Sequence, residues 1–258
     1  MLYVPPAIQK YRLPSRLIYS FLRRLNRYFS TRCLVQRRMG ALLLLDQINA
    51  VDRHLLLRGA WEAPQVDFLT DLVRSQQQAD EPLILLDIGS HAALYPVVLS
   101  QRLTFDEIVA YEPVPSNLAQ LRANLWLNGM LSSVKVVEKA VSNCEGKLQF
   151  IIGYEKNRGL SRIMDGTKTD QEEVIEVVAT TIDGSSFYEN SLIVCKIDVE
   201  GGELNVIEGM KETVARNRFI FQIENLSTRP ISQLKGLLEP LGCRWVHSIR
   251  EDHYFIKV

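Results

Sequence analysis

Apolar residues fall in this chain in short unbroken runs, each followed by an acid and a turn. Leu83-Ile84-Leu85-Leu86-Asp87-Ile88-Gly89 is the first such run. Ile108-Val109-Ala110-Tyr111-Glu112-Pro113 is the second, and Ile193-Val194-Cys195-Lys196-Ile197-Asp198-Val199-Glu200-Gly201 the third. Runs of this length suit strands buried on both faces, as in a parallel sheet. Segments with helical spacing lie between them, so the pattern alternates strand and helix from residue 83 onward. That alternation predicts an α/β fold with a mostly parallel sheet.

The elements follow in order. Strand 83–88 leads to a helix over about 93–103, and strand 107–111 to a helix capped by Ser116 and running to Leu127. Asn128-Gly129 ends that helix. Val134–Glu138 reads as a strand. Leu148–Ile152 and Val174–Ala179 read as an antiparallel pair joined by the polar loop 154–171. Strand Leu192–Ile197 precedes a helix from Glu203 to Val214. Strand Phe219–Ile223 ends at Glu224, and a helix covers Ile231–Leu238. Arg244–His247 and Tyr254–Val258 form a closing hairpin, which adds an antiparallel edge. Upstream, Gly59–Pro64 is a turn, followed by a helix with Val66, Phe68, Leu69, Leu72 and Val73 on its inner side. Gly40 to Asp52 reads as extended structure and a turn, within which Ala41–Leu45 is too short a run to assign to strand or helix.

Before Gly40 the pattern differs. Leu17, Ile18, Phe21, Leu22, Leu25, Tyr28 and Phe29 recur at helical spacings, with Arg23, Arg24 and Arg27 mainly between them. Residues 1–40 carry nine basic side chains and no acid, although the whole chain has a formal net charge of zero. The reading is a basic helical extension over 1–55 on a main domain over 56–258. Its plain role is a helix packed on the domain with solvated arginines. Its sharper role is peripheral contact with an anionic membrane surface, where each basic residue contributes about 1 kcal/mol. Nucleic acid is not favoured, because no recognised binding module is present. The four cysteines match no zinc or redox spacing, so free thiols and a cytoplasmic setting are expected. No apolar run approaches the ~20 residues of a membrane span.

Ligands of such a sheet bind beyond the carboxyl ends of its strands. Asp87 and Gly89 stand at one end, in a turn where a missing Cβ lets a ligand approach or simply permits the bend. His91 either touches the ligand or fills that turn. Glu112 ends the next strand and suits the hydroxyls of a ribose, or else the N-terminus of the following helix. Lys196, Asp198 and Glu200 share one side if the third strand persists that far. A lysine there needs a partner, and Asp198 or Glu200 supplies one. This is a structural ion pair or the charged floor of an active site. No Gly-x-Ser-x-Gly elbow, P-loop or histidine metal pair occurs, so no metal is expected.

Together these stretches resemble the FkbM-type methyltransferases, which depend on S-adenosylmethionine. The likeness rests on Leu86-Asp87-Ile88-Gly89-Ser90, on Tyr111-Glu112-Pro113-Val114-Pro115-Ser116-Asn117, and on Ala140-Val141-Ser142. Its most specific part is Lys196-Ile197-Asp198-Val199-Glu200-Gly201-Gly202-Glu203, with Glu208-Gly209 after it. The resemblance implies the class I (Rossmann-like) methyltransferase fold, a seven-stranded, mostly parallel sheet with an antiparallel C-terminal strand. It implies that Asp87, Gly89, Ser90 and His91 lie along the methionine part of the cofactor, with Glu112 at the ribose. Asn117, Ala140 and Val141 would lie near the adenine, and Asp198, Glu200 and Lys196 at the reacting centre. In the first loop the chain departs from the family's Ala-Asn-x-Gly and has Ser90-His91-Ala92-Ala93. A Cβ is thereby added where the cofactor packs close. The implied activity is O-methylation of a sugar, glycan or related natural product. The alternative is a methyltransferase-like binding module with weakened catalysis.

Overall fold

The computed structural model describes residues 32–152, 162–163, 173–225 and 229–258. The helix read over 15–29 lies outside them. Five strands run parallel: β3 (Leu83–Ile88), β4 (Glu107–Tyr111), β5 (Val134–Val137), β10 (Leu192–Ile197) and β11 (Arg218–Glu224). β13 (Asp252–Lys257) joins β11 antiparallel, and β12 (Arg244–Ile249) closes that edge. The strand order is β12-β13-β11-β10-β3-β4-β5. This is the seven-stranded class I methyltransferase sheet, with β13 as its antiparallel strand. From β3 the chain winds outward to β4 and β5, then returns to β10 and winds the other way. The switch point therefore falls between β3 and β10, which opens a crevice at their carboxyl ends. Both central strands are buried at every residue, as their apolar runs demand.

Helices cover both faces. They are α1 (Ala50–Arg58), α2 (Ala63–Gln76), α3 (Leu94–Leu99), α4 (Pro115–Leu127), α5 (Ile182–Ser185), α6 (Glu203–Glu208), α7 (Lys211–Arg216) and α8 (Ser232–Leu238). A second sheet of β6 (Ala140–Val141), β9 (Glu173–Thr180), β7 (Gly146–Ile152) and β8 (Arg162–Ile163) flanks the first, in that order. β7 and β9 are the expected antiparallel pair. The short strand β8 falls inside the segment read as a polar loop.

Several expectations are corrected. Residues 33–46 form a β-hairpin of β1 (Cys33–Arg38) and β2 (Ala41–Asp46); β2 lies in the stretch read as extended, but β1 falls in the extension read as helical. Its turn is Met39-Gly40, both with positive φ, which suits a tight two-residue hairpin. Ala41, Leu43 and Leu45 are buried in the same core as Val66 and Leu85. α1 was not foreseen; Asn49 caps it by accepting from the backbone N–H groups of Val51 and Asp52. Ser116 does not cap α4. That helix starts at Pro115, and the Glu112 carboxylate takes the Val114 N–H instead, at 2.8 Å. α3 stops at Leu99 rather than 103. The helix read over 203–214 is two, α6 and α7, broken at Gly209-Met210. A Cβ at Gly209 would lie 2.0 Å from the Ser142 carbonyl oxygen, so this chain crossing demands glycine there.

α4 also completes the hairpin's open edge. Asn128 and Asn124 accept from the N–H groups of Leu42 and Leu44 at 3.0 and 2.7 Å. Asn128 and Gln120 donate to the Leu42 and Leu44 carbonyls. Side chains one helical turn apart thus stand in for a missing strand. Asn124 reaches further and donates to the Ala92 carbonyl at 2.8 Å, which ties the hairpin to the loop after β3.

Candidate active site

The crevice beyond β3, β4, β10 and β11 is a cleft of about 300 Å³. Every residue expected to touch the cofactor lines it: Asp87, Gly89, Ser90 and His91 from the first loop, Glu112 and Asn117 from the second, and Ala140 and Val141 from β6. Lys196, Asp198 and Glu200 line it too. The structure therefore brings together all three acid-tipped strand ends.

The first loop is shaped by close contact. Gly89 has φ +83°, and a Cβ there would sit 1.7 Å from the Asp198 carbonyl oxygen. Glycine is obligatory at this point for both reasons. The N–H groups of Gly89 and Ser90 both donate to the Tyr111 carbonyl at 3.0 Å. Ser90 Oγ donates to Asp87 Oδ2. His91 and Ala93 take the left-handed conformation, at φ +47° and +57°. The Ala93 side chain is buried in the hydrophobic core and is not part of the cleft wall. The expected obstruction of the cofactor by its Cβ is therefore corrected. The departure from glycine costs backbone strain and leaves the cleft clear.

Glu112 organises the second loop. It accepts from the backbone N–H groups of His91 and Val114 at 2.8 Å and from Asn117 Nδ2 at 3.3 Å. Burial raises its pKa to about 7 despite these bonds. Two buried oxygens of this wall, Asp87 Oδ1 and Asn117 Oδ1, have no hydrogen-bond partner among the described residues. The apolar cluster of Val114, Ala140, Phe150 and Val177 forms the adjoining slot.

The floor is acidic. β10 ends at Ile197, so Glu200 does not continue the strand; it sits at φ +53° in the turn before Gly201. Lys196 is buried, donates to Asp198 Oδ2 at 2.8 Å, and lies 4.7 Å from the centre of the Tyr95 ring. Burial alone would lower the Lys196 pKa, but Asp198, Glu62 and Asp87 outweigh it and keep the ammonium charged. Burial opposes the Asp198 charge as well, yet Lys196 holds its carboxyl below the usual range. Beyond the loop, Glu203 Oε1 accepts from the Gly201 N–H at 2.7 Å. Arg229 binds both Glu203 Oε2 and the Gly201 carbonyl at 2.8 Å, which fixes the turn that carries Glu200.

Five residues in and behind this floor escaped the sequence reading. Glu62, at φ +48° before α2, accepts from Tyr95 Oη at 2.7 Å. Gln222 donates to Tyr95 Oη and to Asp252 Oδ1 at 2.6 and 2.8 Å. Burial raises the pKa values of Glu62, Asp87 and Asp252. Glu224, at the end of β11, lines the cleft next to Asp198. Of these, only the strand-end acid Glu224 carried the signal that found the others.

The sequence matches the family described as Methyltransferase FkbM domain over residues 87–242. Methyltransferase sdnD of Sordaria araneosa is 25% identical over 189 residues, 61% of this chain and 72% of that protein. The solved FkbM methyltransferase of Methylobacillus flagellatus KT aligns with a TM-score of 0.45 at 14% identity, covering 70% of this chain and 45% of that one. The N-terminal domain of human METTL16 in complex with SAH gives 0.42 at 15%, covering 96% and 82%. The cleft and the family match coincide: the match begins at Asp87 itself and takes in the tips of β3, β4, β10 and β11. The chain is a member of the FkbM methyltransferase family, and its cofactor is S-adenosylmethionine.

Proposed function

We propose that this methyltransferase transfers its methyl group to a hydroxyl oxygen, on a sugar, glycan or related natural product. The observation that carries the reading is the acidic floor of the cleft. A hydroxyl acceptor must lose a proton as it is methylated, and carboxyl groups are suited to receive it.

The cleft fits the cofactor chemically. Its walls offer acceptors, among them the unpartnered Asp87 Oδ1 and Asn117 Oδ1. S-adenosylmethionine brings the matching donors: an ammonium, two ribose hydroxyls and an adenine amino group. When bound it supplies an electrophilic methyl on a positively charged sulfur. Asp87, Ser90 and His91 would hold the methionine part, on the turn that Gly89 makes possible against the Asp198 carbonyl. Glu112 would hold the ribose; Asn117, Ala140 and Val141 would border the adenine. The carboxyl groups around Lys196 favour a cationic ligand beside them.

On the acceptor side, Lys196 locks the Asp198 carboxylate in place, where it can accept from the acceptor hydroxyl. Glu200 offers a second carboxyl at the rim. Trp61 and Tyr95 also line the cleft, beside Glu62. Aromatic faces next to carboxyls suit a ring with apolar faces and hydroxyl edges. Holding acceptor and methyl in near-attack geometry supplies much of the acceleration in such a transfer.

The test is transfer of isotope-labelled methyl from S-adenosylmethionine to a panel of saccharides and hydroxylated natural products. The expected product carries the label as an O-methyl ether by NMR. Label found only on nitrogen or carbon acceptors would refute the proposal.

A further inference from the structure

The carboxyl end of β11 carries an acid to which the resemblance gives no role. Glu224 lies one residue beyond Ile223, and Asp198 one residue beyond Ile197, its register partner on β10. The two carboxyl groups stand side by side on neighbouring strand ends, and both line the cleft. Two neighbouring carboxyls in a buried cleft do not both ionise, so the pair holds one proton and carries one negative charge. Lys196 donates to Asp198, which places the charge on Asp198 and the proton on Glu224. The other neighbours keep it there. Asp252 is the register partner of Glu224 on β13, and Glu62, Asp87 and His91 line the same cleft around Lys196 and Asp198. Burial and the Asp198 charge push the Glu224 carboxyl up to about 10.

Building on the hydroxyl-methylation reading above, we infer that Glu224 is the base that takes the acceptor's proton, and that the sulfonium charge primes it by displacing its own. Glu224 releases its proton to solvent as a positive charge enters a cleft rich in carboxyls. Both members of the pair are then ionised, between Lys196 and the sulfonium. Glu224 next takes the acceptor's hydroxyl proton as the oxygen–carbon bond forms and the sulfur–carbon bond breaks, its electron pair staying on sulfur. The pair returns to one proton and one charge. One proton leaves per methyl moved, and no further reactant is needed. Asp198 is the weaker candidate, because its bond to Lys196 holds its pKa down.

Proton release on ligand binding tests this without an acceptor. Calorimetry at pH 8, in buffers of different ionisation enthalpy, compares S-adenosylmethionine with S-adenosylhomocysteine. The two share amino acid, ribose and adenine, so the contributions of Glu112 and the other cofactor contacts cancel in the difference. The native chain should release about one more proton with S-adenosylmethionine. That excess should vanish in Glu224→Gln, which keeps a polar side chain of the same size, and in Asp198→Asn, which removes the charge that holds the proton. Retained S-adenosylhomocysteine binding shows that each variant is folded. Equal release with both ligands in the native chain, or an excess that survives Glu224→Gln, overturns the inference. Failure of both ligands to bind would overturn the methyl-donor reading, and this inference with it.

Discussion

Glu112 and Ala93 show how single residues set the cofactor cleft. The left-handed conformation at Ala93 costs about 1–2 kcal/mol. Its buried methyl returns about 0.8 kcal/mol, so a residue other than glycine is tolerable at that point. Glu112 is the more sensitive group. With its pKa raised from 4.5 to about 7, it is half protonated near neutrality. Ribose hydroxyls bind its ionised form, so ligand binding expels the proton and affinity falls as pH drops below about 7. Titration of S-adenosylhomocysteine, which lacks the sulfonium charge, should show up to tenfold weaker binding per pH unit below that point and a plateau above it. In Glu112→Gln the profile should be flat and weak. Folding has the opposite sign: between pH 4.5 and 7 the unfolded chain ionises this group first, so its contribution to stability is present at acid pH and is lost as pH rises to about 7.

At the scale of elements, the sequence made strands far more legible than their edges. β3, β4, β10 and β11 were readable because burial on both faces leaves unbroken apolar runs. The hairpin at 33–46 was only half readable: Gly40–Asp52 reads as extended structure and a turn, but Ala41–Leu45 alone fits strand or helix equally and nothing marks Cys33–Arg38 as its partner strand. What decides it is remote: Asn124 and Asn128, some eighty residues later, satisfy the edge of β2. The break between α6 and α7 was hidden for the same kind of reason, as its cause is the Ser142 backbone. Asn124→Ala should therefore strip partners from both Leu44 N–H and the Ala92 carbonyl. Each orphaned buried group costs about 1–3 kcal/mol. Chemical denaturation should show a loss of about 2–5 kcal/mol, accompanied by weaker cofactor binding through the Ala92 loop. A loss under about 1 kcal/mol would mean that the hairpin is not held by this ladder.

At the scale of the whole molecule, the sheet order converts three separated motifs into one cleft. Asp87, Glu112 and Asp198 were each readable as strand-end acids, and their convergence follows from the switch point between β3 and β10. Glu62 and Asp252 were not readable, because neither stands at the end of a parallel strand. Glu62 lines the cleft from the turn before α2, and Asp252, on the antiparallel strand β13, connects to it through Gln222 and Tyr95. No helix among the described residues is long and apolar enough to cross a membrane. The central claim is that the cleft beyond β3 binds the methyl donor. Calorimetric titration of the native chain and of Glu112→Ala with S-adenosylmethionine tests it most directly. The account predicts saturable one-to-one binding by the native chain, weakened at least about tenfold by loss of the ribose carboxylate. Absence of binding up to millimolar cofactor, or binding that Glu112→Ala leaves unchanged, would contradict it.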